Sequence, residues 1–156
     1  MQRHLDLDMG RTFSPTSRPV TLRTLCALSA KFHEWVIGGG DVKVAYPQGK
    51  WPEHIKKAIS RMPFGYHDRD EMGRQLAAEV GNLYGHPLAG KHWWLTFLEW
   101  MLHDGFTQSK HDPCLFFRRH GDKVLYIIVF VDDILTFGSP ELRNEWVQRF
   151  SKDFRV

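Results

Sequence analysis

The chain has 156 residues, 42% of them hydrophobic and 13% aromatic, and its 21 Lys and Arg outnumber its 18 Asp and Glu by only three. A chain of this length buries roughly 70% of the surface its unfolded form exposes, and this composition fills such a core, which excludes disorder along the whole length. The small charge excess establishes no nucleic-acid partner by itself, and the longest apolar run, residues 124–131, falls far short of the ~20 residues of a membrane span, so no membrane association is expected.

Residues 1–20 are polar, contain Pro15 and Pro19, and show neither helical nor strand periodicity. They include no apolar segment of the kind a secretory signal needs, which points to an intracellular protein, cytoplasmic or nuclear. Over residues 21–35, Leu22, Leu25, Cys26, Leu28 and Phe32 recur at helical intervals, and Thr21 is placed to cap a first helix. Gly38, Gly39 and Gly40 interrupt this pattern, and the alternation that follows predicts a short strand or the end of a strand over residues 41–46. Residues 47–70 are rich in Pro, Gly and charge and read as a loop-rich insertion with one possible helical turn over 53–59. The period of residues 71–80 fits a strand or a helix, and Gly85, Pro87 and Gly90 mark a turn-dense connector.

The strongest helical signal covers residues 88–104, where Trp94, Phe97, Leu98 and Met101 form a stripe widened by Trp93 and Trp100, with Gly105 as the stop. Residues 113–119 predict a buried strand that turns at Gly121 into a second strand over 123–131. Asp132 and Asp133 interrupt the apolar run, which resumes over 134–137. Ser139 and Pro140 then have the types expected at the cap and first position of a last helix carrying Leu142, Trp146 and Phe150. Cys26 and Cys114 lie far apart and read as buried or idle thiols, and no His or Cys pair has zinc-ligand spacing. Helical spacing favours core packing over base stacking for Trp93, Trp94 and Trp100, and Arg118, Arg119 and Lys123 read as a solvated turn.

The acids carry the candidate chemistry. Two adjacent aspartates between apolar β-type runs are costly to bury, so the chain reverses there or the acids meet a cation. An exposed Asp-Asp turn needs no chemistry at all, and the two readings stand side by side. Asp41 opens another short apolar segment, and if that segment joins the same sheet, three carboxylates converge. Carboxylate oxygens suit Mg²⁺, and two such ions would serve an in-line phosphoryl displacement.

The segments FSPTSRPVTLRTLCALSAKFHEW, GGDVKVAY, RMPFGY, NLYGHPLAGKHWW, LHDGFTQSKHDPCLFFRR and LYIIVFVDDILTFGS, in this order, resemble successive blocks of copia-type retrotransposon reverse transcriptases. The resemblance runs over residues 13–156 and leaves 1–12 as an irregular lead-in. It implies an α+β polymerase palm, an antiparallel sheet backed by helices with a ferredoxin-like core, incomplete fingers and no thumb. It further implies that Asp41 and Asp132 bind two Mg²⁺ ions, with Mn²⁺ as an alternative, and that Asp133 completes the acidic cluster. Tyr46 matches the aromatic residue that excludes a ribose 2′-hydroxyl. The implied partners are an RNA or DNA template with its primer, deoxynucleoside triphosphates, and the remainder of a retroelement polyprotein.

Several positions depart from that pattern: Phe130 stands where tyrosine is common, Leu88 where glutamine is common, and Gly90 where proline is common. Residues 1–156 by themselves are expected to supply neither the basic fingers hairpin nor a thumb, connection or ribonuclease H segment. A decayed or repurposed palm that binds nucleic acid, or only folds, is the alternative expectation.

Overall fold

A computed structural model describes residues 14–53, 57–61, 65, 69, 71–74 and 77–156. The elements run α1 (Pro19–Lys31), β1 (Val36–Asp41), α2 (Ala45–Gln48), β2 (Ala58–Arg61), β3 (Ala77–Val80), α3 (Ala89–His103), β4 (Thr107–Gln108), β5 (Leu115–His120), β6 (Lys123–Phe130), β7 (Asp133–Gly138) and α4 (Pro140–Asp153). Five strands form one antiparallel sheet in the order β1-β7-β6-β5-β4, and β2 pairs with β3 separately. The expected mixed α+β architecture, an antiparallel sheet backed by helices, is therefore present.

Alternation along the strands divides the two faces of the sheet. Leu125, Ile127, Val129 and Ile134 point to the side covered by α3 and α4, where Trp93, Phe97, Met101, Trp146 and Phe150 complete the main core. The intervening residues Tyr126, Ile128, Leu135 and Phe137 pack instead with Leu22, Leu25 and Leu28 of α1. Aromatic rings bind α3 to α4: Trp100 meets Phe150 at 5.1 Å and Phe97 meets it at 5.9 Å between centroids. Such pairs contribute about 0.5–1.5 kcal/mol each beyond their buried area.

The helices follow their sequence signals most closely. The Ser139 hydroxyl accepts from the Leu142 N–H at the start of α4, with Pro140 in its first turn. Gly105 takes φ +84° just beyond the Asp104 C-cap of α3, the left-handed geometry for which glycine carries no Cβ penalty. The first helix differs from expectation: it begins at Pro19 with Arg18 as N-cap, and Thr21 lies inside its first turn. The anchor of this helix start comes from far along the chain, because the buried Asp112 carboxylate accepts from the Arg18 N–H at 2.9 Å and the Thr21 hydroxyl at 2.6 Å. It also accepts from the Cys114 N–H at 3.0 Å, tying α1 to the start of β5.

The glycine run differs too. Rather than interrupting structure, Gly38, Gly39 and Gly40 lie within β1, paired along its whole length with β7, and the strand ends at Asp41. Of the two readings for 41–46 the strand end is the one present: past Asp41 the chain bends through Val44, at φ +48°, into the short α2. In the insertion, residues 54–56 of the expected helical turn lie outside the described residues, while Ala58 and Ile59 belong to β2. The ambiguous stretch 71–80 resolves as a strand over Ala77–Val80. The segment after α2 lies directly on α3: the Lys50 N–H donates to Thr96 Oγ1 at 2.7 Å, Asn82 Nδ2 donates to the Gly49 carbonyl at 2.5 Å, and a Cβ at Gly49 would stand only 2.7 Å from Trp93 N. No helix among the described residues is long and apolar enough to cross a membrane.

Candidate functional site

The sheet brings the predicted acids to one end. Asp41, the last residue of β1, lies directly opposite Asp133, the first of β7, and Asp133 in turn lies opposite Phe130, the last of β6. Directly opposed residues of antiparallel strands project to the same face. Asp41, Asp133 and Phe130 therefore form a row across three strands, on the face that holds Leu135 and Phe137 farther along. Both aspartates and Phe130 are exposed.

Asp132 sits in the reversal itself. Because Phe130 pairs with Asp133, only Val131 and Asp132 remain to close the hairpin, so the turn is centred one residue before the expected Asp-Asp pair. Val131 has φ +60° and Asp132 is not in the left-handed region. This pattern of the first central residue belongs to type II′ turns, where glycine is usual. A β-branched residue held there stores strain of order 1–3 kcal/mol and persists only where its surroundings fix it. Both turn carbonyls are held: the Val42 N–H donates to Asp132 O at 2.9 Å, and the indole Nε1–H of Trp93 donates to Val131 O at 2.6 Å. The first bond links the residues that follow Asp41 to the residue that carries the Asp132 carboxylate.

None of the three carboxylates makes a hydrogen bond or ion pair with a described residue. The contrast with the other aspartates is sharp. Asp104 receives Arg149 Nε at 2.6 Å and Arg118 Nη1 at 3.3 Å, while Asp112 takes three donors. Among the described residues no group of three His, Cys, Asp or Glu side chains is assembled that could hold a metal ion. Mg²⁺ is nonetheless usually bound through one or two carboxylates, with waters and substrate phosphates completing its shell, rather than in an all-protein cage. The facing, unpaired Asp41 and Asp133, with Asp132 one residue away, fit that donor chemistry.

Tyr46 is placed apart from this row. It belongs to α2, is half-buried against the main core, and its ring lies 5.1 Å from that of Tyr84, with its hydroxyl near Gly90. Gly90, where a proline was expected, leaves room at the start of α3 for the backbone of Ser14, which a Cβ would approach to 3.3 Å. Close by, the buried His92 ring nitrogen Nδ1 lies 2.7 Å from Asn82 Oδ1, and Trp51 contacts both His86 and His92 edge-on. Burial lowers the pKa of His92, with the charges of His86 and Lys91 adding to it, and burial also lowers that of His86.

The remaining sequence candidates are structural. Trp93 is fully buried, and Trp94 and Trp100 pack against the same core. Arg118 turns inward over the Phe106 ring at 4.9 Å, and Lys123 pairs with Glu141 at 3.3 Å. Glu141, pulled down to about 2 chiefly by the Ser139 hydroxyl, belongs to the cap of α4. Cys26 is exposed rather than buried, whereas burial and the Asp112 charge push the buried Cys114 thiol up to about 12.

Residues 2–155 match the family of reverse transcriptases (RNA-dependent DNA polymerases). The chain belongs to this family. The chain is similar to the retrovirus-related Pol polyproteins from transposons RE1 and RE2 of Arabidopsis thaliana, each 29% identical over 151 residues, covering 96% of this chain and 10% of the relative. It is also similar to the retrovirus-related Pol polyprotein from transposon TNT 1-94 of Nicotiana tabacum, 25% identical over 137 residues, covering 86% of this chain and 10% of the relative. The chain spans about a tenth of the length of these curated relatives. No solved structure matches it. The resemblance read from six sequence blocks is thus borne out at the level of family. Two features of the chain had no signal in the sequence: the indole bond from Trp93 to the turn and the triple acceptor role of Asp112.

Proposed function

We propose that this chain is the DNA-synthesising palm of a retroelement Pol polyprotein, extending a primer on an RNA or DNA template from deoxynucleoside triphosphates. The observation that carries the reading is the direct opposition of Asp41 and Asp133, neither paired with a cation among the described residues, beside the strapped turn that presents Asp132. Like charges placed opposite each other destabilise a sheet, so their retention at one exposed end favours a role in binding cations. Asp41 and Asp132 would hold two Mg²⁺ ions, or Mn²⁺ in their place, with Asp133 completing the acidic end. Bound divalent ions supply a lowered pKa at the primer 3′-hydroxyl and charge stabilisation at the α-phosphate and the departing pyrophosphate. The protein's own part is to fix the carboxylates on a rigid sheet end and turn, so that no rearrangement is needed as charge develops. Tyr46, five residues beyond Asp41, is the residue that would exclude a ribose 2′-hydroxyl.

Primer extension tests the proposal. The wild-type chain should extend a primed template in Mg²⁺ or Mn²⁺, and Asp132→Asn should abolish extension; extension that survives the substitution refutes the assignment. The absence of a three-ligand group among the described residues favours a second reading, a palm that binds nucleic acid without polymerising. Calorimetry separates the two: the second reading gives no heat with a deoxynucleoside triphosphate and Mg²⁺, while salt-dependent nucleic-acid binding persists.

A further inference from the structure

We infer that Trp93 is a positioning residue of this site, its indole N–H holding the backbone of the turn that carries Asp132. The inference rests on the proposed reading of the acids as a cation site and adds a residue on another element that sets their geometry. Val131 is a β-branched residue in a left-handed conformation, which does not persist without external restraint. Its carbonyl receives one bond, from Trp93 Nε1 at 2.6 Å, and Trp93 is the one side chain among the described residues bonded to the turn.

The donor is itself immobile. Trp93 is 1% exposed, its ring lies 5.5 Å from that of Phe154 and 5.8 Å from that of Phe97, and Gly49 presses on its backbone from the other side. Core filling at this position asks only for a large ring, so the N–H has a separate task. The second strap, from the Val42 N–H to Asp132 O, fixes the turn to the residue after Asp41. The two bonds together define where the Asp132 carboxylate stands relative to Asp41 and Asp133.

The test uses Mn²⁺ as the probe, its affinity measured by electron paramagnetic resonance, with amide hydrogen exchange at residues 132 and 133 as a second readout. Trp93→Phe keeps a ring and removes the donor; replacement of Trp93 by 3-benzothienylalanine keeps the bicyclic shape and removes only the N–H, which guards against a folding defect. Both should weaken Mn²⁺ binding about tenfold or more, the scale of outer-shell substitutions at metal sites, and should speed exchange at 132 and 133 but not in β5. Phe97→Leu, which disturbs the same core and leaves the indole bond in place, should keep wild-type Mn²⁺ affinity. Unchanged affinity in both Trp93 variants, or an equal loss in Phe97→Leu, overturns the positioning role alone. A wild-type chain that binds no Mn²⁺ overturns the reading of the acids, and the role of Trp93 with it.

Discussion

Replacing Asp41 with Asn should make the metal-free protein more stable. Asp41 and Asp133 face each other across β1 and β7, both exposed and neither paired with a cation. Two unit charges about 5 Å apart in a water-like dielectric repel by about 0.8 kcal/mol, which falls within the roughly 0.2–1 kcal/mol range of cross-strand pairs. For a chain of this length about 1 kcal/mol corresponds to roughly 2–4 °C in Tm, so Asp41→Asn should raise Tm by about 2–3 °C. The measurement is thermal unfolding followed by circular dichroism at low ionic strength with a chelator present. Asp133→Asn should give the same gain, and the double variant no more than either single one, because one repulsive pair is removed in every case. Added salt should shrink the gain, and Mg²⁺ should raise the Tm of the wild type but not of the double variant. A fall in Tm on Asp41→Asn, or additive gains from the two single substitutions, would refute the reasoning.

Asp112→Ala should cost about 3 kcal/mol, because it leaves the Arg18 and Cys114 N–H groups and the Thr21 hydroxyl without their acceptor, at about 1–3 kcal/mol for a buried unpaired donor. The expected fall in Tm is about 6–12 °C, and Asp112→Asn, which keeps one acceptor oxygen, should lose less. Thiol labelling at pH 8 should modify the exposed Cys26 quickly and leave Cys114 untouched until the chain unfolds. Because the Cys114 pKa is raised from 9.0 to about 12 in the folded state, folding stability should fall as pH climbs from about 9 toward 12. His92 has the opposite sign: its folded pKa lies below the ordinary 6.5, so denaturant unfolding should show stability falling as pH drops below that value, less steeply in His92→Gln.

Legibility followed the range of the interaction responsible. In α3 and α4 the apolar stripe, Gly105, Ser139 and Pro140 act within a turn or two of helix, so local spacing sufficed to place them. β1 was illegible because nothing local makes Gly38, Gly39 and Gly40 a strand; the hydrogen-bonding ladder of β7, nearly a hundred residues later, does so. The start of α1 misled for a similar reason, since its N-cap is Arg18, held by the remote Asp112, rather than Thr21. At the proposed site, Asp41, Asp132 and Asp133 were singled out through family resemblance. Which two acids face each other was not legible, because register depends on where the hairpin closes, and a shift of one residue changes the face. The spacing that marked Trp93 as a core residue is also silent on its N–H, because a ring packs equally well with or without a donor.

The bare backbone at Gly49 has a consequence beyond local fit. The loop that follows α2 rests on α3 with no side chain between them, so even one methyl group at position 49 would wedge the helix outward at Trp93. An indole carried outward with the helix lets go of the hairpin tip. The smallest enlargement of a remote surface loop would thereby be geared to the carboxylates, and this position would tolerate far less variation than its solvent-facing neighbours.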